Sequence, residues 1–197
     1  MRMKRIGIFG GSFDPVHNVH LRIAREAVRQ LYLDRIFFVP AFIPPHKRER
    51  RLTATLHRLN MLKRALSKNE KYSISKYEIS RKGVSYTIET LRKFRKRFPT
   101  AELILIIGSD SLEQIPTWKD ADKIIQMADL AVYERSGFPI DAAAYPHRRI
   151  QGKPSEVSST AIREQAGTKK PFRSLVPESV WKYIKDKKLY VHSSMKI

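Results

Sequence analysis

Arg5-Ile6-Gly7-Ile8-Phe9-Gly10-Gly11-Ser12-Phe13-Asp14-Pro15-Val16-His17-Asn18-Val19-His20 is the stretch whose reading decides the fold. Ile6, Ile8 and Phe9 read as a short buried strand. Gly10-Gly11 is expected to turn the chain tightly, because a residue without Cβ reaches positive φ at little cost. Asp14-Pro15 is turn chemistry. From about Asn18 the pattern becomes helical, with Leu21, Ala24, Ala27, Val28 and Leu31 recurring at three- and four-residue steps. The order is strand, glycine turn, helix. Unpartnered N–H groups and the positive end of the dipole make such a helix start a place for a phosphate. His17 and His20 lie on one side of its first turn. They can act as imidazole donors to phosphates and to charge on a leaving group. The plainer alternative is a surface histidine and a cap. Zinc is less well supported, since no third ligand stands at a usual spacing.

Outward from this unit, Arg35-Ile36-Phe37-Phe38-Val39-Pro40 is a continuous apolar run of the kind a parallel strand buried on both faces needs. Strand, helix and strand make a right-handed βαβ unit. A loop follows in which Pro44 and Pro45 stiffen the approach to His46 and Lys47, read either as presented cations or as a solvated basic loop. Leu52 to Ser67 predicts a helix with Leu56, Leu59, Leu62 and Leu66 along one stripe, and Tyr72–Ile79 predicts a strand. Ser85 or Thr87 opens the next helix, whose buried side is Ile88, Leu91, Phe94 and Phe98. Its other face carries Arg92, Lys93, Arg95, Lys96 and Arg97, a solvated side or a nucleic-acid patch.

Glu102–Ile107 is the most hydrophobic strand and is expected near the centre of the sheet. Asp110 follows at its C-terminal end, where ligands of open α/β sheets bind. There it can accept from a ribose hydroxyl, cap a helix, or do both. Trp118, in a proline-containing loop, is packing or a stacking platform. A short helix at Asp120–Gln126 leads to a strand at Asp129–Tyr133. Residues 138–154 are poorly periodic, with a strand only around Arg149–Gln151. A hydroxyl-capped helix opens at Val157–Arg163, and Pro177–Ile184 is a terminal helix with proline in its first turn.

The chain has 197 residues, which favours one domain with a proper core. Its 39 Lys+Arg against 19 Asp+Glu give a formal charge of +20. That excess favours anionic ligands but does not choose among nucleotides, nucleic acid and an acidic membrane surface. With zero cysteines there is no disulfide framework. No apolar run approaches the roughly eighteen residues of a membrane span, and no signal-peptide pattern is present. A soluble, cytoplasmic protein without a membrane partner is expected.

Gly10-Gly11-Ser12-Phe13-Asp14-Pro15-Val16-His17-x-x-His20 resembles the G-G-[ST]-F-D-P-x-H-x-G-H signature of HIGH-superfamily nucleotidyltransferases. More closely, it resembles the bacterial nicotinate-nucleotide adenylyltransferases. One departure is Val19, where that family usually has glycine. Four further segments, in order, match the same family: Val39-Pro40-x-x-x-Pro44-Pro45-His46-Lys47; Arg81-x-Gly83-x-Ser85-Tyr86-Thr87-x-Glu89-Thr90-Leu91; Gly108-x-Asp110-x-Leu112 with Trp118; and Val157-Ser158-Ser159-Thr160-x-Ile162-Arg163. Arg135 matches the family's R-P-G, with Ser136 in place of proline.

The resemblance implies a single Rossmann-like α/β domain over residues 1–197, with a mostly parallel sheet, helices on both faces and a small helical part from about 158. It implies transfer of the adenylyl group of ATP to nicotinate mononucleotide, with Mg²⁺ carried on substrate phosphates rather than in a protein cage. His17, His20, Lys47 and Arg163 would neutralise the triphosphate and the leaving pyrophosphate. Gly10, Gly11, Ser12, Phe13, Gly108, Asp110, Arg135, Ser158 and Ser159 would complete the ATP site. Ser12, His46, Lys47, Ser85, Tyr86, Thr87, Asp110 and Trp118 would hold the mononucleotide. Nicotinamide mononucleotide or phosphopantetheine are the alternative acceptors within the class. A basic nucleic-acid-binding module is the alternative outside it, though no nucleic-acid motif favours that reading. A homo-oligomer stays open.

Overall fold

The computed structural model describes residues 3–45, 52–140, 145–168 and 170–191. The expected βαβ unit is β1 (Arg5–Gly11), α1 (Asn18–Gln30) and β2 (Arg35–Pro40). Next come α2 (Thr55–Leu66), β3 (Tyr72–Ile74), α3 (Tyr77–Arg81) and α4 (Thr87–Arg97). The second half is β4 (Glu102–Gly108), α5 (Ser109–Leu112), α6 (Ala121–Met127), β5 (Asp129–Tyr133), β6 (His147–Ile150), α7 (Ser159–Gly167) and α8 (Glu178–Asp186).

The six strands form one sheet in the order β3-β2-β1-β4-β5-β6, and every neighbouring pair is parallel. Side chains alternate across it, as period two requires. Phe9, Ile36, Phe38, Ile104, Ile106 and Ala131 face a core shared with α1, α2, α7 and α8. Ile8, Phe37, Val39, Leu105 and Val132 face a second core under α4 and α6. Burial on both faces explains why these strands read as unbroken apolar runs. Truncating a buried ring such as Phe38 to alanine would cost about 3–5 kcal/mol. No helix of the described residues is long and apolar enough to cross a membrane.

Three sequence expectations are corrected. The strand over Tyr72–Ile79 ends at Ile74, after pairing Ile36–Phe38 of β2, and Tyr77–Arg81 turns into α3. Leu56 is not core but 66% exposed. At about 100° per residue it lies about 120° around α2 from Leu62, and the buried ridge instead runs through Arg58, Met61, Leu62 and Leu66. Gly10 and Gly11 do not turn at all. Both belong to β1, and neither has positive φ.

A candidate nucleotide site at the switch in strand order

From β1 the chain winds outward through β2 and β3. From β4 it winds the other way through β5 and β6. A crevice opens where the two directions part, beyond the C-terminal ends of β1 and β4. A cavity of about 510 Å³ lies there, lined by Gly10–Phe13 on one side and Ile106–Gly108 on the other.

The residue that leaves the strand with positive φ is Phe13, at 48°. A phenylalanine tolerates this strained region only when packing holds it. Its ring is fully buried, with ring centroids 5.8 Å from Phe9, 5.7 Å from Phe38 and 5.1 Å from His20. The glycines serve close approach instead. A Cβ on Gly11 would come within 3.1 Å of the Phe13 ring, whereas one on Gly10 meets nothing within 4 Å and would enter the cavity.

His17 precedes α1, and its ring lies 3.7 Å from that of His20, tilted by 33°. The His17 backbone N–H donates to His20 Nδ1 at 3.2 Å, so neutral His20 keeps its proton on Nε2. Burial, then the charge of Arg135, lowers the His17 pKa to about 3. Burial also pushes His20 well below its ordinary value, helped by His17 and Arg135. Both rings are therefore uncharged at neutral pH in the free protein. His17 Nδ1 is buried and finds no hydrogen-bond partner among the described residues.

The β4 side supplies Asp110, whose carboxylate accepts from Arg135 Nη1 at 2.9 Å. The Arg135 N–H donates to Ser109 Oγ at 3.0 Å. A Cβ on Gly108 would press on the Asp110 carboxylate and come within 3.1 Å of Arg135 Cδ, so the glycine leaves that ion pair its place. Farther along the wall are Trp118 and Thr87, the first residue of α4. Trp118 Nε1 is buried without a partner among the described residues. Ser85 also lines the cavity, but its hydroxyl accepts from the Phe42 N–H at 2.9 Å and bonds to Glu78. It braces the loop after β2. Tyr86 does not line the cavity; its ring carries the Lys119 ammonium at 4.7 Å.

The third wall is the start of α7. Ser158 caps it, accepting from the Ala161 N–H at 3.2 Å. Ser159 Oγ donates to the Pro15 carbonyl at 3.0 Å, and Arg163 donates to the Asp14 carbonyl and to Thr160 Oγ1. Ser158, Ser159 and Arg163 all border the cavity. His46 and Lys47 lie outside the described residues.

Three residues that the sequence reading does not single out hold these walls. Arg58, 1% exposed, donates to the carbonyls of Ser12 (2.9 Å), Ala41 (2.7 Å) and Thr53 (3.0 Å). Burial lowers its pKa and the charge of Asp14 raises it. Glu78, buried beside the cavity, accepts from Thr90 Oγ1 at 2.6 Å, and burial pushes its carboxyl up. Tyr190 donates to Asp14 Oδ1 at 2.8 Å. A buried Arg or Glu inside an otherwise amphipathic segment is the only trace of these contacts in the sequence.

A family model described as cytidylyltransferase-like matches residues 8–165. The chain is similar to the nicotinate-nucleotide adenylyltransferase of Bacillus subtilis (strain 168), with 41% identity over 188 residues, covering 95% of this chain and 99% of that one. It is also similar to the probable nicotinate-nucleotide adenylyltransferase of Clostridium tetani, with 40% identity over 199 residues, covering 95% and 100%. In fold it is similar to Plasmodium falciparum nicotinic acid mononucleotide adenylyltransferase complexed with NaAD. That likeness has a TM-score of 0.81 at 22% identity and covers 95% of this chain and 97% of that chain.

Proposed function

Because this chain belongs to the nicotinate-nucleotide adenylyltransferases, within the cytidylyltransferase-like family, we propose that its cavity joins ATP to nicotinate mononucleotide, giving deamido-NAD and pyrophosphate. An oxygen of the mononucleotide 5′-phosphate attacks the α-phosphorus of ATP in line. The bond from that phosphorus to the bridging oxygen breaks, and its electron pair leaves on pyrophosphate. No protein nucleophile takes part. The chain's contribution is positioning and charge stabilisation.

The observation that carries this reading is one cavity with two unlike ends. At one end His17, His20 and Arg163 face the mouth of α1, which suits a polyphosphate. At the other, Trp118 offers a π face and Thr87 opens a helix, which suits a cationic pyridinium bearing a carboxylate. Asp110, held by Arg135, is placed to accept from a ribose hydroxyl between them. Lys47, from the loop after β2, is assigned to the phosphates and His46 to the mononucleotide.

Mg²⁺ fits as a companion of the triphosphate. Among the described residues no three His, Asp or Glu side chains converge as ligands, and Asp110 is engaged by Arg135. The ion would be placed through ATP oxygens that His17, His20 and Arg163 hold, and it would supply charge neutralisation on the departing pyrophosphate. The reaction also implies a cytoplasmic location, where ATP is at hand.

The test is incubation with ATP, Mg²⁺ and each acceptor, with products identified by mass. Deamido-NAD and pyrophosphate are expected with nicotinate mononucleotide. Absence of deamido-NAD with nicotinate mononucleotide would sink the reading.

A further inference from the structure

The segment Ser12–His17 carries the reacting end of the cavity, yet few of its own atoms hold it in place. Its shape is imposed from distant parts of the chain. Arg58 of α2 grips the Ser12 carbonyl, Arg163 and Ser159 of α7 grip the Asp14 and Pro15 carbonyls, and Asn18 Nδ2 donates to the Ser174 carbonyl at 2.9 Å. Within the segment, the Asp14 side chain is a further anchor beside the packed Phe13 ring. It is 2% exposed, and its two oxygens accept from the Thr53 N–H at 3.0 Å and the Tyr190 hydroxyl at 2.8 Å. Neither Asp14 nor Tyr190 borders the cavity.

We propose that Tyr190, through its hydroxyl bond to Asp14, is a positioning residue for the His17–His20 pair. It sets the segment Ser12–His17 against the reacting phosphates without touching them. A carboxylate oxygen buried without a donor is costly, so removing the hydroxyl makes the Asp14 side chain turn toward another donor. That turn pulls on the backbone three residues before His17. Charge stabilisation depends on sub-ångström placement, so the loss appears in the chemical step more than in binding. The Tyr190 hydroxyl touches only protein, so its removal deletes no group that lines the cavity. This inference rests on the adenylyl-transfer reading above.

The experiment compares Tyr190→Phe with Val180→Ala, a core truncation in α8 that touches neither Asp14 nor the cavity. For Tyr190→Phe, kcat is expected to fall about tenfold, the worth of one hydrogen bond to a charged group, with both KM values within about twofold. Val180→Ala is expected to lower Tm and keep kcat. A kcat for Tyr190→Phe within about twofold of the unaltered protein overturns the proposal, as does an equal kcat loss in Val180→Ala.

Amide hydrogen exchange on the unaltered protein gives a second reading that needs neither turnover nor a folded variant. Peptides covering 12–18 and 188–191 are expected to open with a common rate, slower than surface loops. Protection of 12–18 that persists while 188–191 exchanges freely overturns the coupling. If the unaltered protein transfers no adenylyl group, the functional reading falls, and exchange alone decides whether Tyr190 holds the segment.

Discussion

His17 and His20 meet the cavity uncharged, and that sets their behaviour toward a polyphosphate. Burial and Arg135 hold both imidazoles neutral, whereas bound phosphates favour the protonated ring. Binding of ATP is therefore expected to raise both pKa values and to draw protons from solvent as the pH falls below neutral. Calorimetry in two buffers of different ionisation enthalpy measures this, and a binding enthalpy that ignores the buffer would contradict it. His20→Ala removes the Nδ1 acceptor of the His17 N–H together with the donor aimed at the phosphates. A loss of kcat on the order of a hundredfold is expected from steady-state kinetics, with the far-ultraviolet circular dichroism unchanged. At this scale the sequence was only partly readable. The motif residues lining the cavity are legible through the family resemblance, where spacing alone leaves a cap or packing role open. Arg58, Glu78 and Tyr190 are not, because each is defined by partners outside its own element, up to 176 residues away for Tyr190 and Asp14.

The start of α4 is the element to which acceptor choice is assigned on the proposed reading. Thr87 and the helix N-terminus favour a negative group on the pyridine ring, whereas Glu78, in the same wall, opposes one to the extent that it is ionised. Burial pushes the Glu78 carboxyl up and so weakens that opposition. The expected outcome is a higher kcat/KM for nicotinate mononucleotide than for nicotinamide mononucleotide, and equal values would remove the assignment of Thr87. The basic face of α4 reads differently in three dimensions than in sequence. Arg92 pairs with Asp120 at 3.2 Å, Arg95 donates to the carbonyls of Ala101 and Met127, and the Arg97 guanidinium lies 5.2 Å over Phe37. Three of its five cations thus have partners within the fold, one of them a carboxylate. Helix and strand periods identify most elements here. They fail at Tyr72–Ile79, where pairing with β2 stops after three residues, and at Leu56, where regular leucine spacing drifts off the buried ridge.

Across the whole molecule, the parallel sheet gathers its functional groups at one end and stitches itself together at the other. Arg5 of β1, Glu102 of β4, Asp129 of β5 and Arg148 of β6 form a chain of ion pairs at 2.6–2.8 Å. Open to solvent on the arginine side, each pair is worth about 0–1 kcal/mol. Acid sensitivity comes instead from the cavity end. Both histidines have folded pKa values below the unfolded 6.5, so the unfolded chain binds more protons beneath that pH. Stability is fully present above about pH 6.5 and is lost as pH falls, toward about 3 for His17. The slope reaches about 1.4 kcal/mol per pH unit for each ring. Urea midpoints at pH 7.5 and pH 5 are expected to differ in that direction, and identical midpoints would mean that the rings protonate in place.

The bonds from α7 and Tyr190 to the segment Ser12–His17 also bear on how the protein is made. On a ribosome, all six strands are available once residue 150 has emerged, yet several contacts that shape the proposed reacting end come from Ser159, Arg163 and Tyr190. A nascent chain with a finished sheet still lacks these bonds, and on the proposed reading it is expected to transfer no adenylyl group until they form.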